Sequence, residues 1–241
     1  RRVPPSPVIR LEHSPLGVEA LDDGGCPDPI VRAMLPEIAR ANTLFGGRAA
    51  AMFGAARLLD GVPAGSHLTL LDVGAGRGDL SRALVRLAGR RGIALTAVAL
   101  DNHRVAAALA RGPGVSPVLA GAEALPIAVD GVDLVLASQF LHHFSRPSAA
   151  ALVREFDRLA RVGVVICEPR RTPLAAAGIW AAAQVLGFHA VTRRDGVLSV
   201  RRSFTPSELA AVLADAGVSG MVQRRWGFRV VAWWRSARAH G

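Results

Sequence analysis

The sequence predicts an α/β protein with a mostly parallel sheet, and three observations support that class. From Leu68 onward, short apolar runs alternate with longer amphipathic runs, which is the pattern of βαβ units. A glycine-rich segment, 74–78, joins the first apolar run to the first amphipathic one, as a strand-to-helix turn requires. The 241 residues are 51% hydrophobic and 20% charged, a composition that supports one well-filled core with appended helices.

Residues 1–66 are predicted to form an N-terminal arm followed by a helical cap. Residues 1–27 are rich in Pro and Gly and show no sustained apolar period, which predicts an extended arm. Asp28 followed by Pro29 begins an apolar-periodic run, and a second such run covers about 43–59. Each of these runs predicts a helix ahead of the sheet.

Residues 67–241 are predicted to form a second unit, which contains seven strands. The predicted strands lie near 68–73, 94–100, 115–119, 132–137, 162–167, 218–223 and 227–234. Amphipathic helices between the strands, for instance 79–90, should cover both faces of the sheet. The alternation stops at Pro169, so 170–202 is predicted to be a helical insert after strand five that acts as a lid over the substrate. A capping box at Thr205–Glu208 then begins another helix, and the last two strands form a hairpin.

Charge and cysteine content exclude several classes of function. All 29 basic residues are Arg, against 19 acidic residues, and they occur as singles and pairs with few aromatics between them, which argues against nucleic-acid binding. Cys26 and Cys167 form no metal-ligand spacing, so we predict neither a disulfide nor a metal site and expect a reduced, cytoplasmic setting. The apolar stretch 174–191 carries Gln184 and His189, and we interpret it as a buried helix or lid rather than a transmembrane span.

The most informative segment is the end of the first predicted strand, 70–79, where acids surround a Gly-x-Gly-x-Gly turn. The glycines of this turn are Gly74, Gly76 and Gly78. A dinucleotide-binding turn would place a glycine at position 79, where this chain has Asp79. Asp72 and Asp79 would also repel a phosphate at the start of the helix. S-adenosylmethionine, whose sulfonium and ammonium groups are cationic, suits these acids better.

A further acid, Asp101, ends the second predicted strand. A carboxylate at this position in a parallel sheet can hold a ribose diol through two charge-assisted hydrogen bonds. Asp101 can also cap the helix that begins near Asn102, and the two roles are compatible.

With these motifs the sequence resembles the class I S-adenosylmethionine-dependent methyltransferase superfamily, most closely its small-molecule branch related to ubiquinone-biosynthesis enzymes. The resemblance covers roughly residues 68–235 and includes Ala122–Pro126, which is similar to the family's adenine loop. The runs 132–135 and 140–144 are similar to the family's fourth strand and the segment after it. Many relatives have an Asp before the adenine loop, where this chain has Gly121, so the resemblance leaves adenine recognition to Glu123 or to backbone near Ala122.

The resemblance implies a Rossmann-like seven-stranded fold, S-adenosylmethionine as cofactor and S-adenosylhomocysteine as product. The cofactor-binding residues predicted from the motifs and the resemblance are Asp72, Gly74, Ala75, Gly76, Gly78, Asp101, Asn102, Ala122, Glu123 and Ser138. The later segment 193–205 resembles a subgroup found with bacterial polyketide and other secondary-metabolite genes. That resemblance implies an aromatic or polyketide acceptor, with O-methylation favoured over C-methylation.

Three side chains that follow strands four and five are candidates for the base that a hydroxyl acceptor would need. They are His142, His143 and Glu168, and ligands of open α/β folds bind at this edge of the sheet. His143 is the preferred candidate. Packing or helix capping is the alternative role for the histidines, and an ion pair with an arginine is the alternative for Glu168.

Two other functions and one assembly question stay open at this point. An RNA methyltransferase is one alternative, although two features argue against it. Ser138–Leu141 lacks the Asn/Asp-Pro-Pro-aromatic turn of amino-group methyltransferases, and Cys167 lacks the Pro or Thr that precedes the nucleophilic cysteine of a cytosine C5-methyltransferase. A non-catalytic module that binds S-adenosylmethionine is the other alternative. A homodimer is compatible with the sequence, and no transmembrane segment is predicted.

Overall fold

The computed structural model describes residues 16–22, 26–122, 125 and 127–236. Its centre is a seven-stranded sheet in the order β3-β2-β1-β4-β5-β7-β6. The strands are β1 (His67–Val73), β2 (Ala94–Asp101), β3 (Val115–Leu119), β4 (Val132–Ser138), β5 (Ala160–Pro169), β6 (Met221–Arg225) and β7 (Arg229–Arg235). The first five are parallel to one another, and β7 pairs antiparallel with both β5 and β6. The predicted fold class, a Rossmann-like and mostly parallel sheet, is therefore confirmed.

Eight helices surround the sheet in the described part of the chain. They are α1 (Asp28–Leu44), α2 (Gly47–Leu59), α3 (Asp79–Gly89), α4 (Arg104–Ala110), α5 (Arg146–Leu159), α6 (Pro173–Val185), α7 (Ala190–Arg202) and α8 (Pro206–Asp215). Apolar residues of α2 and α3 form a core with one face of the sheet, while those of α5 and α8 form a core with the other face. Burial on both faces explains why β4 is apolar along most of its length and wholly buried.

The boundaries differ from the predicted ones where a turn overrides the apolar pattern. Helix α1 extends through Thr43 to Leu44, because the chain first breaks at Gly46, which has a φ of +74°. Strand β6 begins at Met221 and not at 218, since Gly217 and Val218 form the turn that ends α8.

Of the two forms predicted for the apolar stretch 174–191, the single buried helix is not what the structure shows, and the lid stays a prediction. The stretch is divided between α6 and α7 by a turn at Gly187, and His189 caps α7 by accepting a hydrogen bond from the Val191 amide. Helix α6 buries only Ala175 and Ala183, and its Trp180 is 57% exposed. No helix within the described part of the chain combines the length and the apolarity that a membrane crossing requires.

Candidate active site

One cavity of about 390 Å³ lies at the carboxyl ends of the parallel strands. Its wall includes most of the predicted cofactor-binding residues, namely Asp72, Gly74, Ala75, Gly76, Asp101, Asn102, Ala122 and Ser138. Gly78 lies behind this wall at the start of α3, and Glu123 is outside the described residues. Helix α1 and the insert helices α6 and α7 supply the opposite wall. The topology therefore places the predicted cofactor side and the insert around a single space.

The glycine turn positions backbone at the edge of this cavity. Gly78 has a φ of +71°, and a Cβ there would lie 2.9 Å from the Ala110 carbonyl oxygen, so any side chain would displace α4. Gly76 also has a positive φ, but a Cβ there would meet only Leu35, at 3.8 Å. The absence of a side chain at Gly76 therefore leaves room for a ligand against the backbone.

Two carboxylates lie beneath and beside the turn. Asp101 Oδ2 accepts a hydrogen bond from the Gly76 amide at 2.8 Å, and its Oδ1 accepts one from the His103 amide at 2.9 Å. Asp72 is 2% exposed, and its Oδ2 accepts a hydrogen bond from Ser81 Oγ at 2.5 Å. Burial raises the pKa of Asp72 to about 7. The hydrogen bond from Ser81 lowers this pKa, and the nearby carboxylate of Asp101 raises it further. Burial raises the pKa of Asp101 as well. These contacts hold two carboxyl groups at the side of the cavity formed by β1 and β2, where a cationic ligand would favour their ionised forms.

His142 lies between two carboxylates at the other side of the cavity. Its Nδ1 is 2.6 Å from Glu168 Oε2, and its Nε2 is 3.4 Å from Glu19 Oε1. Glu168 is fully buried, and its Oε1 accepts hydrogen bonds from the amides of Phe140 and Leu141. Burial opposes the charged form of His142, but the two carboxylates outweigh it and raise the pKa of His142 to about 10. In this environment His142 is an imidazolium at neutral pH. The partner of Glu168 is therefore His142, and not the arginine that the sequence analysis offered as an alternative.

His143 has a carboxylate partner of its own, Asp22. His143 Nδ1 lies 2.6 Å from Asp22 Oδ2, and the two imidazole rings of His142 and His143 are 4.3 Å apart between centroids. His143 lines the cavity, whereas Glu168 is not part of the wall. The cluster of Glu19, Asp22, His142, His143 and Glu168 is called the histidine–carboxylate cluster below.

Helix α7 attaches the N-terminal segment to this cluster. The Ala20 amide donates to Asp195 Oδ2 at 2.8 Å, and Ser199 Oγ donates to Glu19 Oε2 at 2.9 Å. Arg202, whose side chain is 4% exposed, has its Nη1 4.0 Å from Glu19 Oε1 and 3.7 Å from Asp22 Oδ2. These contacts were not predicted from the sequence, which indicated an extended arm over 1–27 and an insert over the substrate at 170–202, with no pairing between the two.

A strained residue, Gln139, also contributes to the cavity wall and was not predicted. It follows β4 with a φ of +55°, and its Oε1 accepts a hydrogen bond from Arg229 Nη1 at 3.2 Å. Such a backbone conformation in a residue with a side chain is uncommon and often occurs at ligand sites. Cys167 is fully buried and burial raises its pKa to about 12, which removes it as a nucleophile.

Comparison with known proteins gives one matching family model and several similar solved structures. Residues 71–167 match the family model described as a methyltransferase domain, and no curated protein matches the sequence. A solved S-adenosylmethionine-dependent methyltransferase from Aquifex aeolicus is 16% identical, with a TM-score of 0.55 over 82% of this chain and 97% of that one. Magnesium protoporphyrin IX methyltransferase from Synechocystis with bound S-adenosylmethionine is 13% identical, with a TM-score of 0.53 over 83% of this chain and 84% of that one.

A third similar structure is described as a putative methyltransferase from an antibiotic biosynthesis pathway of Anabaena variabilis. It is 16% identical, with a TM-score of 0.52 over 75% of this chain and 69% of that one. At these identities the structures establish the fold alone, and the family model matches residues 71–167 as a methyltransferase domain.

Proposed function

We propose that this methyltransferase domain uses S-adenosylmethionine to methylate a hydroxyl oxygen of a small molecule with an aromatic or otherwise apolar body. The observation that carries the proposal is the single cavity, which has the glycine turn and Asp101 on one side and the histidine–carboxylate cluster on the other. A cofactor and an acceptor that share one cavity can be aligned for in-line transfer.

The cofactor side fits a cationic nucleoside ligand. Asp101 lies in the cavity wall at the tip of β2, where its carboxylate is available to ribose hydroxyls beside the Gly76 backbone. Asp72 lies in the same wall, and a nearby positive charge would favour its ionised form. When bound, S-adenosylmethionine supplies a methyl carbon activated by its sulfonium, and this carbon passes to the acceptor as the carbon–sulfur bond breaks.

The acceptor side combines an apolar wall with a polar end. Met34, Leu35 and Ile38 from α1 and Ile179 and Phe188 from the insert line the cavity, so a largely apolar ligand would lose little hydration there. This composition supports an aromatic or polyketide-type acceptor over an RNA strand, whose phosphates would need a basic groove.

The two histidines of the cluster would have different roles toward a hydroxyl acceptor. His143 is the candidate base: Asp22 holds its Nδ1, which leaves Nε2 to take the acceptor's proton. The imidazolium of His142 cannot accept that proton, so we assign it to charge stabilisation. Glu168 is neither exposed to the cavity nor free of partners, and it would act as a positioning residue that holds His142.

The test is methyl transfer from radiolabelled S-adenosylmethionine to a panel of phenols, aromatic polyketides and total RNA. We expect label in one or more phenolic compounds, and a fall in kcat of at least about tenfold in His143→Ala with affinity for S-adenosylhomocysteine changed by less than about threefold. His67→Ala is the matched control, because His67 is exposed at the start of β1 and outside the cavity. Two results would contradict the proposal. Label in RNA alone would favour an RNA methyltransferase. Tight cofactor binding without transfer to any compound would favour a non-catalytic module that binds S-adenosylmethionine.

A further inference from the structure

We propose that Glu19, His142 and His143 form a binding site for one divalent transition-metal ion at the acceptor side of the cavity. One ligand atom from each of these residues lies within 4.8 Å of the others. Glu19 Oε1 and His142 Nε2 are buried and face each other at 3.4 Å, and neither atom forms a hydrogen bond among the described residues. The Arg202 guanidinium also lies near Glu19 Oε1, 4.0 Å away. Two ligands that are each about 2.1 Å from a tetrahedral metal ion are separated by about 3.4 Å, so the observed spacing fits a shared ion.

The partners of the two histidines are those of metal ligands. In metal sites a ligating histidine nearly always donates its other ring N–H to a carboxylate, a carbonyl or a water, which fixes its tautomer and its orientation. Both histidines have this arrangement, since Glu168 lies 2.6 Å from Nδ1 of His142 and Asp22 lies 2.6 Å from Nδ1 of His143. Both Nε2 atoms are then left as ligands.

The third ligand is oriented in the same way. Ser199 Oγ donates to Glu19 Oε2 at 2.9 Å, which leaves Oε1 directed at His142. Glu168 is itself held by the amides of Phe140 and Leu141. Every proposed ligand is thus fixed by a second residue, as a preformed site requires.

The charge of the cluster also favours a divalent cation. Glu19, Asp22 and Glu168 contribute three negative charges, the Arg202 guanidinium contributes one positive charge, and the neighbouring Asp195–Arg194 pair is neutral as a whole. With neutral histidines the sum is −2, which one divalent ion would balance.

The ligand set indicates the class of metal. Two imidazoles and one carboxylate suit Zn²⁺, Fe²⁺, Co²⁺ or Mn²⁺ better than Ca²⁺ or Mg²⁺, which prefer oxygen ligands. Three protein ligands also leave a coordination position open for an oxygen of the acceptor. This part of the inference rests on the proposed function: an acceptor hydroxyl bound there would lose its proton to bulk water more readily. In the loaded protein both histidines would be neutral ligands, so His142 would release a proton when the metal binds. In the metal-free protein His142 is the charged partner of Glu168 and His143 is the candidate base.

The experiment is titration of the chelator-treated full chain with Co²⁺ and with Zn²⁺, followed by visible absorption and by calorimetry. We expect one Co²⁺ per chain with an absorption band typical of low coordination number. Glu19→Gln and His143→Ala should each weaken binding by at least about tenfold, and Asp22→Asn by about 10–100-fold, as for residues that orient metal ligands. Glu155→Gln and His67→Ala are matched controls, since Glu155 pairs with Arg158 on α5 and His67 is exposed.

Two results would overturn the inference. The first is the absence of saturable binding up to about millimolar metal, and the second is one-to-one binding that Glu19→Gln and His143→Ala leave unchanged, which would place the metal elsewhere. Affinity of the metal-free chain for S-adenosylhomocysteine is measured in parallel. If that affinity is retained while metal binding fails, only the metal site is rejected; if it is lost as well, the proposed function fails independently.

Discussion

Replacement of Asp72 by Asn should stabilise the protein progressively as the pH rises through the neutral range. Asp72 is 2% exposed, and its hydrogen bond from Ser81 Oγ is the contact that a substitution must preserve. Asn has nearly the same volume and retains an oxygen that can accept this bond. The substitution therefore removes the charge and leaves the packing of β1 against α3 almost unchanged.

The magnitude follows from the pKa of Asp72. Burial raises it from 3.8 to about 7, so between these values the folded state binds more protons than the unfolded state and the free energy of unfolding falls with pH. One pKa unit corresponds to about 1.4 kcal/mol, and the loss in the wild-type chain between pH 5 and pH 7 is therefore about 2–3 kcal/mol. Asp72→Asn lacks this loss, and above pH 7 the difference between the two proteins should level off.

The assay is urea unfolding of both proteins at pH 5, 6, 7 and 8. Groups that do not interact with Asp72 titrate equally in both chains, so their contributions cancel in the difference between the two free energies of unfolding. Asp101 interacts with Asp72, and its contribution stays within that difference. Asp79→Asn is the control, because Asp79 is 39% exposed and forms a surface ion pair. The difference in free energy of unfolding between Asp79→Asn and wild type should change by less than about 1 kcal/mol from pH 5 to pH 8. A difference between Asp72→Asn and wild type that stays constant within about 0.5 kcal/mol from pH 5 to pH 8 would refute the reasoning.

Three further predictions test the cofactor side, the insert and the core. Asp101→Ala should weaken binding of S-adenosylhomocysteine at least about tenfold in calorimetry, because it removes about 1.5–3 kcal/mol of charge-assisted hydrogen bonding; an unchanged affinity would exclude Asp101 from the site. Amides of α6 should exchange faster than those of β4, since α6 buries two residues and β4 buries all of its own; equal protection would argue against a mobile lid. Phe156→Ala should lower the free energy of unfolding by about 3–5 kcal/mol, because Phe156 is fully buried, whereas Leu119→Ala, at a residue 59% exposed, should change it by less than about 0.5 kcal/mol.

The insert shows where apolar composition misleads. The run 174–191 is apolar enough to suggest one buried helix, but burial depends on which element packs against each face. Helix α6 packs mainly on α7 at the edge of the molecule, so Trp180 and Val185 remain exposed. Composition records how much of a segment could be buried and contains no information about the neighbour that would bury it.

The sequence alone determined the parallel sheet, the glycine turn and the position of Asp101, because each depends on residues adjacent in the chain. Strand alternation, turn chemistry and helix capping act over a few residues, and their patterns are legible without tertiary contacts. The same locality placed His142, His143 and Glu168 at the edge of the sheet where β4 and β5 end.

Only the tertiary structure decided what surrounds those histidines. Glu19 and Asp22 come from an N-terminal segment without periodic pattern, and they reach the histidines because Asp195, Ser199 and Arg202 of α7 hold that segment in place. Contacts between side chains so far apart in the chain arise from the packing of whole elements, and packing leaves no local pattern in the sequence. The electrostatic character of the cluster, in which carboxylates surround two neighbouring imidazole rings, was for that reason determined by the fold and not by any motif.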